Sequence, residues 1–182
     1  MSRRPVAVAI TGGIGAGKSE ALAAFRRQGA ATLSADEVVH DLIANDEDVR
    51  AELHGRLGTT ERDLIADAVF DDAERLAWLE ELLHPRVRER TDAWLEQVEA
   101  PVAVVEIPLL YETGGERRFD KVVVVTAPAA VRRARSDAAA DNREARLIPD
   151  PEKAARADYV YENSGSLEQL DQFVASVLAD LT

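Results

Sequence analysis

The chain has 182 residues, of which 46% are hydrophobic and 31% charged, and its formal net charge is −12. This length and composition are typical of one soluble globular domain, and the negative charge argues against a nonspecific nucleic-acid binder, which needs a basic face. Because there is no cysteine, disulfides, thiolate metal sites and cysteine nucleophiles are excluded. No apolar run is long enough to span a bilayer, so we expect a cytoplasmic protein without a membrane partner.

Five short apolar runs predict β-strands, and helical periodicity fills the segments between them. Strands that alternate with helices indicate an α/β fold with a central five-stranded parallel sheet between helical layers. A last helix is predicted from Ser166 to Leu181. The predicted strands are Val6–Ile10, Ala30–Leu33, Val102–Pro108, Lys121–Thr126 and Asp158–Tyr161.

The segment between the second and third predicted strands is helical in pattern throughout. Residues 37–100 are too many for a simple crossover, so they predict a helical subdomain within the single domain 1–182. Asp71, with Glu74 three residues later, predicts the capped start of a longer helix. We expect His84-Pro85 to kink or break that helix, because proline supplies no N–H and clashes with the preceding turn.

The most specific motif lies between the first predicted strand and the first predicted helix. The run Gly12-Gly13-Ile14-Gly15-Ala16-Gly17-Lys18-Ser19 fills every fixed position of the phosphate-loop pattern G-x-x-x-x-G-K-[ST]. Its glycines let backbone N–H groups turn toward phosphate oxygens at a helix N-terminus. Lys18 can then reach the β- and γ-phosphates, and the Ser19 hydroxyl can ligate Mg²⁺. An ordinary glycine-rich turn would match this pattern only by coincidence, so we predict a P-loop NTPase fold.

Two carboxylates follow predicted strands, and each has two interpretations. Asp36 comes just after the second strand, where it can orient or deprotonate an acceptor hydroxyl or hold Mg²⁺ through water. Aspartate is equally suited to be the N-cap of a helix starting at Glu37. Glu106 ends a hydrophobic strand, as the metal-linked acidic residue of a Walker B element does, or else it is a solvated strand end. The residues alone leave both questions open.

Residues 131–156 form a basic segment, with seven basic and five acidic residues in a chain of negative net charge. A basic segment after the fourth strand suits a mobile lid that closes on transferring phosphates. The alternative is a solvated helix with i,i+4 ion pairs, and the phosphate loop favours the lid. Neither N-K-x-D nor D-x-x-G occurs, which counts against a GTPase and favours an adenine-nucleotide kinase.

Seven segments of the chain together carry a resemblance to a known family. They are Ile10–Ser19, Ser34–Asp36, Val69-Phe70, Leu83–Pro85, Glu106–Glu112, Ala157–Val160 and Asn163–Ser166. In order and spacing they resemble the dephospho-coenzyme A kinase family over nearly the whole chain, although the family usually has D-A-D at Ser34–Asp36. The most specific are the His-Pro pair and the P-L-L-x-E element, since the phosphate loop alone identifies only a superfamily.

The resemblance implies a P-loop kinase core, a helical domain for the coenzyme A portion and a lid. The implied reaction is ATP-dependent phosphorylation of the ribose 3′-hydroxyl of dephospho-CoA, the last step of coenzyme A synthesis, with Mg²⁺. We expect small-molecule partners only, and a monomer or weak homo-oligomer.

The resemblance also implies roles for individual residues. Asp36 matches the second aspartate of D-A-D, the proposed general base, and Lys18, Arg132 and Arg135 would stabilise the transferring charge. The acceptor side would comprise Asp36, His84, Arg86, Leu109 and Glu112. Ser19 would hold Mg²⁺ directly. A contact of Glu106 with Mg²⁺ through water rests on its Walker B-like position and not on the resemblance. The nucleotide would bind Gly13, Ile14, Gly15, Ala16, Gly17, Lys18, Ser19 and Glu20.

Three positions depart from the family pattern. Ser34 stands where the first aspartate is common, Glu20 where threonine is usual, and Leu147 where glutamine often follows arginine. None removes a group that the chemistry requires. Two other interpretations stay open: another small-molecule or nucleoside-monophosphate kinase on this scaffold, and a non-catalytic nucleotide-binding regulator. Retention of Asp36 and of the His-Pro pair argues against the regulator.

Overall fold

The computed structural model describes residues 4–135, 147–164 and 166–182, apart from the side chains of residues 133 and 135. The chain divides into two compact units. One consists of the described residues of Met1–Ser34 and Leu95–Thr182, and the other of Ala35–Trp94. No helix of the described part combines the length and apolar character needed to cross a membrane.

The first unit is built around a five-stranded sheet in which all neighbouring strands are parallel, in the order β2-β3-β1-β4-β5. This confirms the predicted α/β fold class. The central strand β1 and its two neighbours β3 and β4 are mostly buried, as expected of parallel strands covered on both faces. The strands are β1 (Val6–Gly12), β2 (Ala31–Ser34), β3 (Val102–Glu106), β4 (Lys121–Thr126) and β5 (Tyr159–Glu162).

Helices fill the connections between these strands, with a short 3₁₀ helix at Gly115–Arg118. The last helix begins where the sequence predicts, because the Ser166 and Gln169 side chains form a capping box at its start. In the described residues the α-helices are α1 (Lys18–Arg27), α2 (Ala35–Asn45), α3 (Glu47–Leu57), α4 (Arg62–Phe70), α5 (Ala73–Gln97), α6 (Ala129–Arg135), α7 (Asp150–Ala155) and α8 (Leu167–Leu181).

Two apolar clusters cover the two faces of the sheet. Successive side chains of a strand point to opposite faces, so Val8 of β1 enters one cluster and Ala9 the other. The first cluster joins the sheet to α1 and α8, through residues such as Phe25 and Val174. The second joins it to the segment after β3, through residues such as Leu110. The sheet is therefore the middle layer of three.

The second unit contains α2, α3, α4 and most of α5. The predicted cap at Asp71 is wrong there, and so is the predicted break at His84-Pro85, whereas the predicted kink stays a prediction. The start of α5 is capped by Asp72, whose Oδ1 accepts hydrogen bonds from the backbone N–H groups of Glu74 and Arg75. Asp71 instead closes α4 as its C-cap. Helix α5 also does not break at Pro85, which lies inside it. One turn earlier, the carbonyl of Leu82 accepts a hydrogen bond from the Arg86 guanidinium at 2.7 Å, which supports the backbone beside the proline.

Candidate active site

The loop between β1 and α1 begins at the carboxyl end of the central strand, and glycine determines its path. At Gly12, φ is 148°, and a Cβ atom would lie 1.9 Å from the Val125 carbonyl oxygen, so only glycine lets β1 end this close to β4. At Gly15, φ is 71° and a Cβ atom would lie 2.9 Å from the Arg132 carbonyl oxygen. Both positions therefore exclude side chains on conformational and steric grounds.

Lys18, the first residue of α1, folds its side chain back over this loop. Its Nζ donates hydrogen bonds to the carbonyl oxygens of Gly13, at 2.9 Å, and Gly12, at 3.2 Å. The loop is closed further by a bond from the Ala16 N–H to the Gly13 carbonyl. The ammonium group thus lies at the rim of the loop, next to N–H groups of a helix N-terminus, which together favour a bound anion.

Ser19 and Glu106 meet at the end of the same loop. The Ser19 hydroxyl donates to Glu106 Oε1 at 3.2 Å. Glu106 is the last residue of β3 and only 4% exposed, so the alternative of a solvated strand end is wrong. A hydroxyl beside a carboxylate supplies the hard oxygen ligands that Mg²⁺ prefers, and Mg²⁺ usually keeps several waters and shares its shell with phosphate oxygens. These two residues fit such an ion.

Asn163 contacts the loop, although the sequence assigned it no role beyond a motif match. It follows β5, and its side-chain Nδ2 donates to the Ala16 carbonyl oxygen at 2.9 Å. Its backbone N–H donates to the Thr126 carbonyl at the end of β4. The available signal was its place just after a strand whose carboxyl end faces the phosphate-loop edge of the sheet.

Arg132 and Asp150, both from the predicted lid segment, lie directly against the phosphate loop. A Cβ atom on Gly13 would be 2.8 Å from Asp150 Oδ2 and 3.1 Å from Arg132 Nη1. The two side chains approach each other at 3.8 Å. The predicted transfer arginine Arg132 is thus at the loop, with an acidic partner that the sequence did not indicate. The side chain of Arg135 and the residues Arg143 and Arg146 lie outside the described part.

The Glu112 side chain, in the P-L-L-x-E element, is mostly buried and contacts α7. Its Oε1 lies 2.8 Å from Nζ of Lys153, which is fully buried, and accepts the Ile148 N–H at 3.0 Å. Nearby, the Arg156 guanidinium lies 4.2 Å from the ring centre of Tyr111. Residues after β3 and those around α7 are therefore joined by a buried ion pair.

Leu109 and Glu20, two further predicted site residues, also have local partners. The Leu109 carbonyl accepts hydrogen bonds from the N–H and hydroxyl of Thr113.

The Glu20 carboxylate pairs with Arg27 at 2.9 Å, and Arg27 also binds Asp171. The hydrogen bonds to Asp171 and then to Glu20 raise the pKa of the Arg27 guanidinium. The charge of Glu20 is thus faced by a cation two helical turns further along α1.

Asp36, His84 and Arg86 belong to the second unit. Helix α2 begins at Ala35, so Asp36 is inside its first turn, exposed, and the N-cap interpretation is wrong. A carboxylate in the first turn is favourable because it faces the positive end of the helix dipole.

Burial lowers the pKa of the His84 imidazole. The nearby Glu80 carboxylate opposes this shift, and the Arg88 guanidinium adds to it, so the imidazole is neutral near pH 7.

The family model and the curated relatives agree on one family. The sequence model described as dephospho-CoA kinase matches residues 6–169. The chain is 37% identical to the dephospho-CoA kinase of Brucella melitensis, covering 97% of this chain and 96% of the relative. It is 39% identical to that of Thermus thermophilus, covering 100% and 94%. Among solved structures, TT1252 from Thermus thermophilus superimposes with a TM-score of 0.85 at 37% identity, covering 99% of this chain and 100% of that one.

Proposed function

The chain belongs to the dephospho-CoA kinase family, and we propose that it transfers the γ-phosphoryl group of ATP to the ribose 3′-hydroxyl of dephospho-CoA. The products are coenzyme A and ADP, so the reaction is the final step of coenzyme A synthesis. The family match over residues 6–169 carries this conclusion, and the phosphate loop with Lys18, Ser19 and Glu106 supplies the corresponding site.

The phosphate loop performs the nucleotide half of the reaction. Phosphate oxygens accept hydrogen bonds from the N–H groups of Gly13–Ser19 at the N-terminus of α1. Lys18 exchanges its present partners, the Gly12 and Gly13 carbonyls, for oxygens of the β- and γ-phosphates. Since little covalent chemistry is required of the protein in phosphoryl transfer, the loop acts by positioning and charge neutralisation.

Ser19 would hold Mg²⁺ directly and Glu106 would hold it through water. When bound, the ion supplies positive charge to the phosphate oxygens as the γ-phosphoryl group leaves ADP. The buried position of Glu106 suits this role, because a carboxylate with few competing waters orients the Ser19 hydroxyl firmly.

Asp36 is the proposed base on the acceptor side. As the bond forms between the 3′-oxygen and γ-phosphorus, the hydroxyl proton passes to the Asp36 carboxylate and the bond to ADP breaks. With Ser34 in place of the first aspartate, Asp36 is the sole carboxylate of Ser34-Ala35-Asp36. The helical segment 37–100 is proposed to hold the coenzyme A portion, with His84 and Arg86 among its contacts.

The lid, residues 131–156, is proposed to close on the transferring phosphates. Arg132 is supported by its position against Gly13 and Gly15, and Arg135 is assigned by resemblance alone. Leu109 and Glu112 keep their proposed place on the acceptor side. The Glu112 carboxylate is held in place there by Lys153. We further propose a cytoplasmic enzyme that is a monomer or weak homo-oligomer.

An acceptor screen tests the proposed function. The purified chain is incubated with Mg²⁺, ATP and either dephospho-CoA, AMP, shikimate or gluconate, and ADP release and the phosphorylated product are quantified. We expect turnover with dephospho-CoA alone. Preferential phosphorylation of another acceptor would support a different small-molecule kinase. Saturable ATP binding without any phosphorylated product would support a regulator.

A further inference from the structure

We infer that Asn163 is a positioning residue that holds the phosphate loop ready for nucleotide by fixing the peptide group between Ala16 and Gly17. This rests on the proposed function only in requiring that nucleotide phosphates bind the loop. The bond from Asn163 Nδ2 to the Ala16 carbonyl spans 147 residues of sequence at 2.9 Å, so it joins two elements that meet only in the folded chain.

Asn163 is itself tied to the sheet, which makes it a rigid support. It follows β5 directly, and its backbone N–H donates to the Thr126 carbonyl at 2.7 Å, at the end of β4. Strand β4 pairs with β1, which leads into the loop. The amide side chain therefore reaches the loop from a backbone position that is fixed relative to the loop's own starting strand.

The direction of the Ala16 carbonyl determines the direction of the next N–H. In a planar trans peptide these two groups point in opposite directions. With the Ala16 oxygen bound to Asn163, the Gly17 N–H points away from Asn163. Gly17 is the N-cap of α1, where backbone N–H groups have no intrahelical carbonyl to bind and are available to an anion.

Without this bond, the Ala16–Gly17 peptide would be held less firmly. Gly17 has φ of 97°, and glycine occupies both signs of φ at little expense, so the peptide can rotate. Rotation would turn a carbonyl oxygen toward the position of the phosphates and repel them. The Ala16 methyl group is fully buried in the core, so it holds the Cα atom of Ala16 in place. It does not fix the orientation of the peptide group that follows. Asn163 thus blocks the remaining rotation.

Asn163→Asp keeps the shape of the side chain but turns the donor into an acceptor facing the Ala16 oxygen. Because it also adds a negative charge near the phosphates, Asn163→Ala is always measured beside it. Gln28→Glu is the matched control of Asn163→Asp. Gln28 Nε2 also donates to a distant backbone carbonyl, that of Asp171 at 2.8 Å, but at the other end of α1. Both variants lose one long-range amide-to-carbonyl bond, and only Asn163→Asp changes the loop.

Three quantities are measured for each variant: KM for ATP, KM for dephospho-CoA, and the inhibition constant of tripolyphosphate, a probe that binds by its phosphates alone. For Asn163→Asp we expect the ATP and tripolyphosphate constants to rise about tenfold or more, as for a lost bond to a buried group. The dephospho-CoA KM should stay within about twofold of the wild-type value. Gln28→Glu should leave all three unchanged, although its melting temperature falls.

A merely structural role predicts a different pattern. The KM values for ATP and for dephospho-CoA would then rise together, in proportion to the decrease in melting temperature. That pattern, or unchanged ATP and tripolyphosphate constants, would overturn the inference. Asn163→Ala adds no charge, so the same selective loss is required in that variant, and its absence there would show that the effect of Asn163→Asp is electrostatic repulsion alone. If the wild-type chain fails to phosphorylate dephospho-CoA, the proposed function fails, but titration calorimetry with ATP and tripolyphosphate still decides the role of Asn163.

Discussion

The Ser19 hydroxyl donates a hydrogen bond to the Glu106 carboxylate, 3.2 Å away, and so connects the phosphate loop to the end of β3. The two residues are far apart in sequence, and each alone has an ordinary explanation. Together they form a hydroxyl–carboxylate pair at the start of α1, with the carboxylate buried. This relationship supports a magnesium-dependent role for both, and it is the first point to test.

Replacing Glu106 by glutamine should raise the Mg²⁺ concentration needed for half-maximal activity by about 10- to 100-fold. The amide still accepts the Ser19 hydrogen bond, so the change removes charge while leaving the fold in place. Activity is measured against Mg²⁺ concentration at saturating ATP. Asp171→Asn is the control, because Asp171 is also a carboxylate with a partner, Arg27, but lies on α8 outside the proposed site. An unchanged Mg²⁺ dependence in Glu106→Gln would contradict the metal-linked role.

Asp36→Asn should lower kcat by about 10²- to 10⁴-fold while leaving ATP binding nearly intact, because it removes the base but keeps the size of the side chain. Steady-state kinetics and calorimetry with ATP measure the two effects. Asp41→Asn, on the same helix α2, serves as control, since Asp41 pairs with Arg90. Wild-type turnover in Asp36→Asn would refute the assignment of the base.

The buried pair between Glu112 and Lys153 should show strong coupling in stability. Lys153→Met or Glu112→Gln alone should lower the free energy of unfolding by about 3–5 kcal/mol, because each leaves the other group buried without its ionic partner. The double variant should lose clearly less than the sum of the two. Urea unfolding curves of the four proteins measure this, and simple additivity would show that the pair is not coupled.

Asp158 should contribute stability that depends on pH. Burial opposes its ionisation, but hydrogen bonds from Lys121 and the Val122 N–H outweigh burial and lower its pKa. A carboxyl group with a lowered pKa stabilises the fold at neutral pH, and this contribution disappears as pH falls below about 4. Asp158→Asn should therefore melt a few degrees lower, on the order of 2–4 °C, at pH 7.

The difference in melting temperature between Asp158→Asn and the wild type should shrink as the pH is lowered through that range. Asp171→Asn, which removes a surface partner of Arg27, is a suitable comparison at the same pH values. A difference that stays constant from pH 7 to below pH 4 would show that the ionised form of Asp158 is not the stabilising species.

The sheet and the phosphate loop could be predicted from the sequence because both have local signatures. Buried parallel strands are continuous apolar runs, as in Val122–Val125, and the loop needs particular residues at particular spacings. The long-range partners could not be predicted in this way. Neither the Asn163 bond to Ala16 nor the Lys153 pair with Glu112 follows from sequence distance, because each depends on how the strands are ordered.

Two errors in the helical unit have the same origin in local rules. Asp71 and Asp72 are equally suitable caps by residue type, and only the helix geometry decides for Asp72. Pro85 would end an isolated helix, yet α5 continues through it, with the Arg86 guanidinium bound to a backbone carbonyl in the preceding turn. In both cases the folded environment outweighs the preference of a single residue.

The most direct test of the central claim is the identity of the product formed from dephospho-CoA. The chain is incubated with ATP, Mg²⁺ and dephospho-CoA, and the products are followed by ³¹P nuclear magnetic resonance and mass spectrometry. We predict one phosphate monoester on the ribose 3′-oxygen for each ADP released. Release of ADP without that monoester, or no transfer under conditions in which ATP binds, would contradict the assignment.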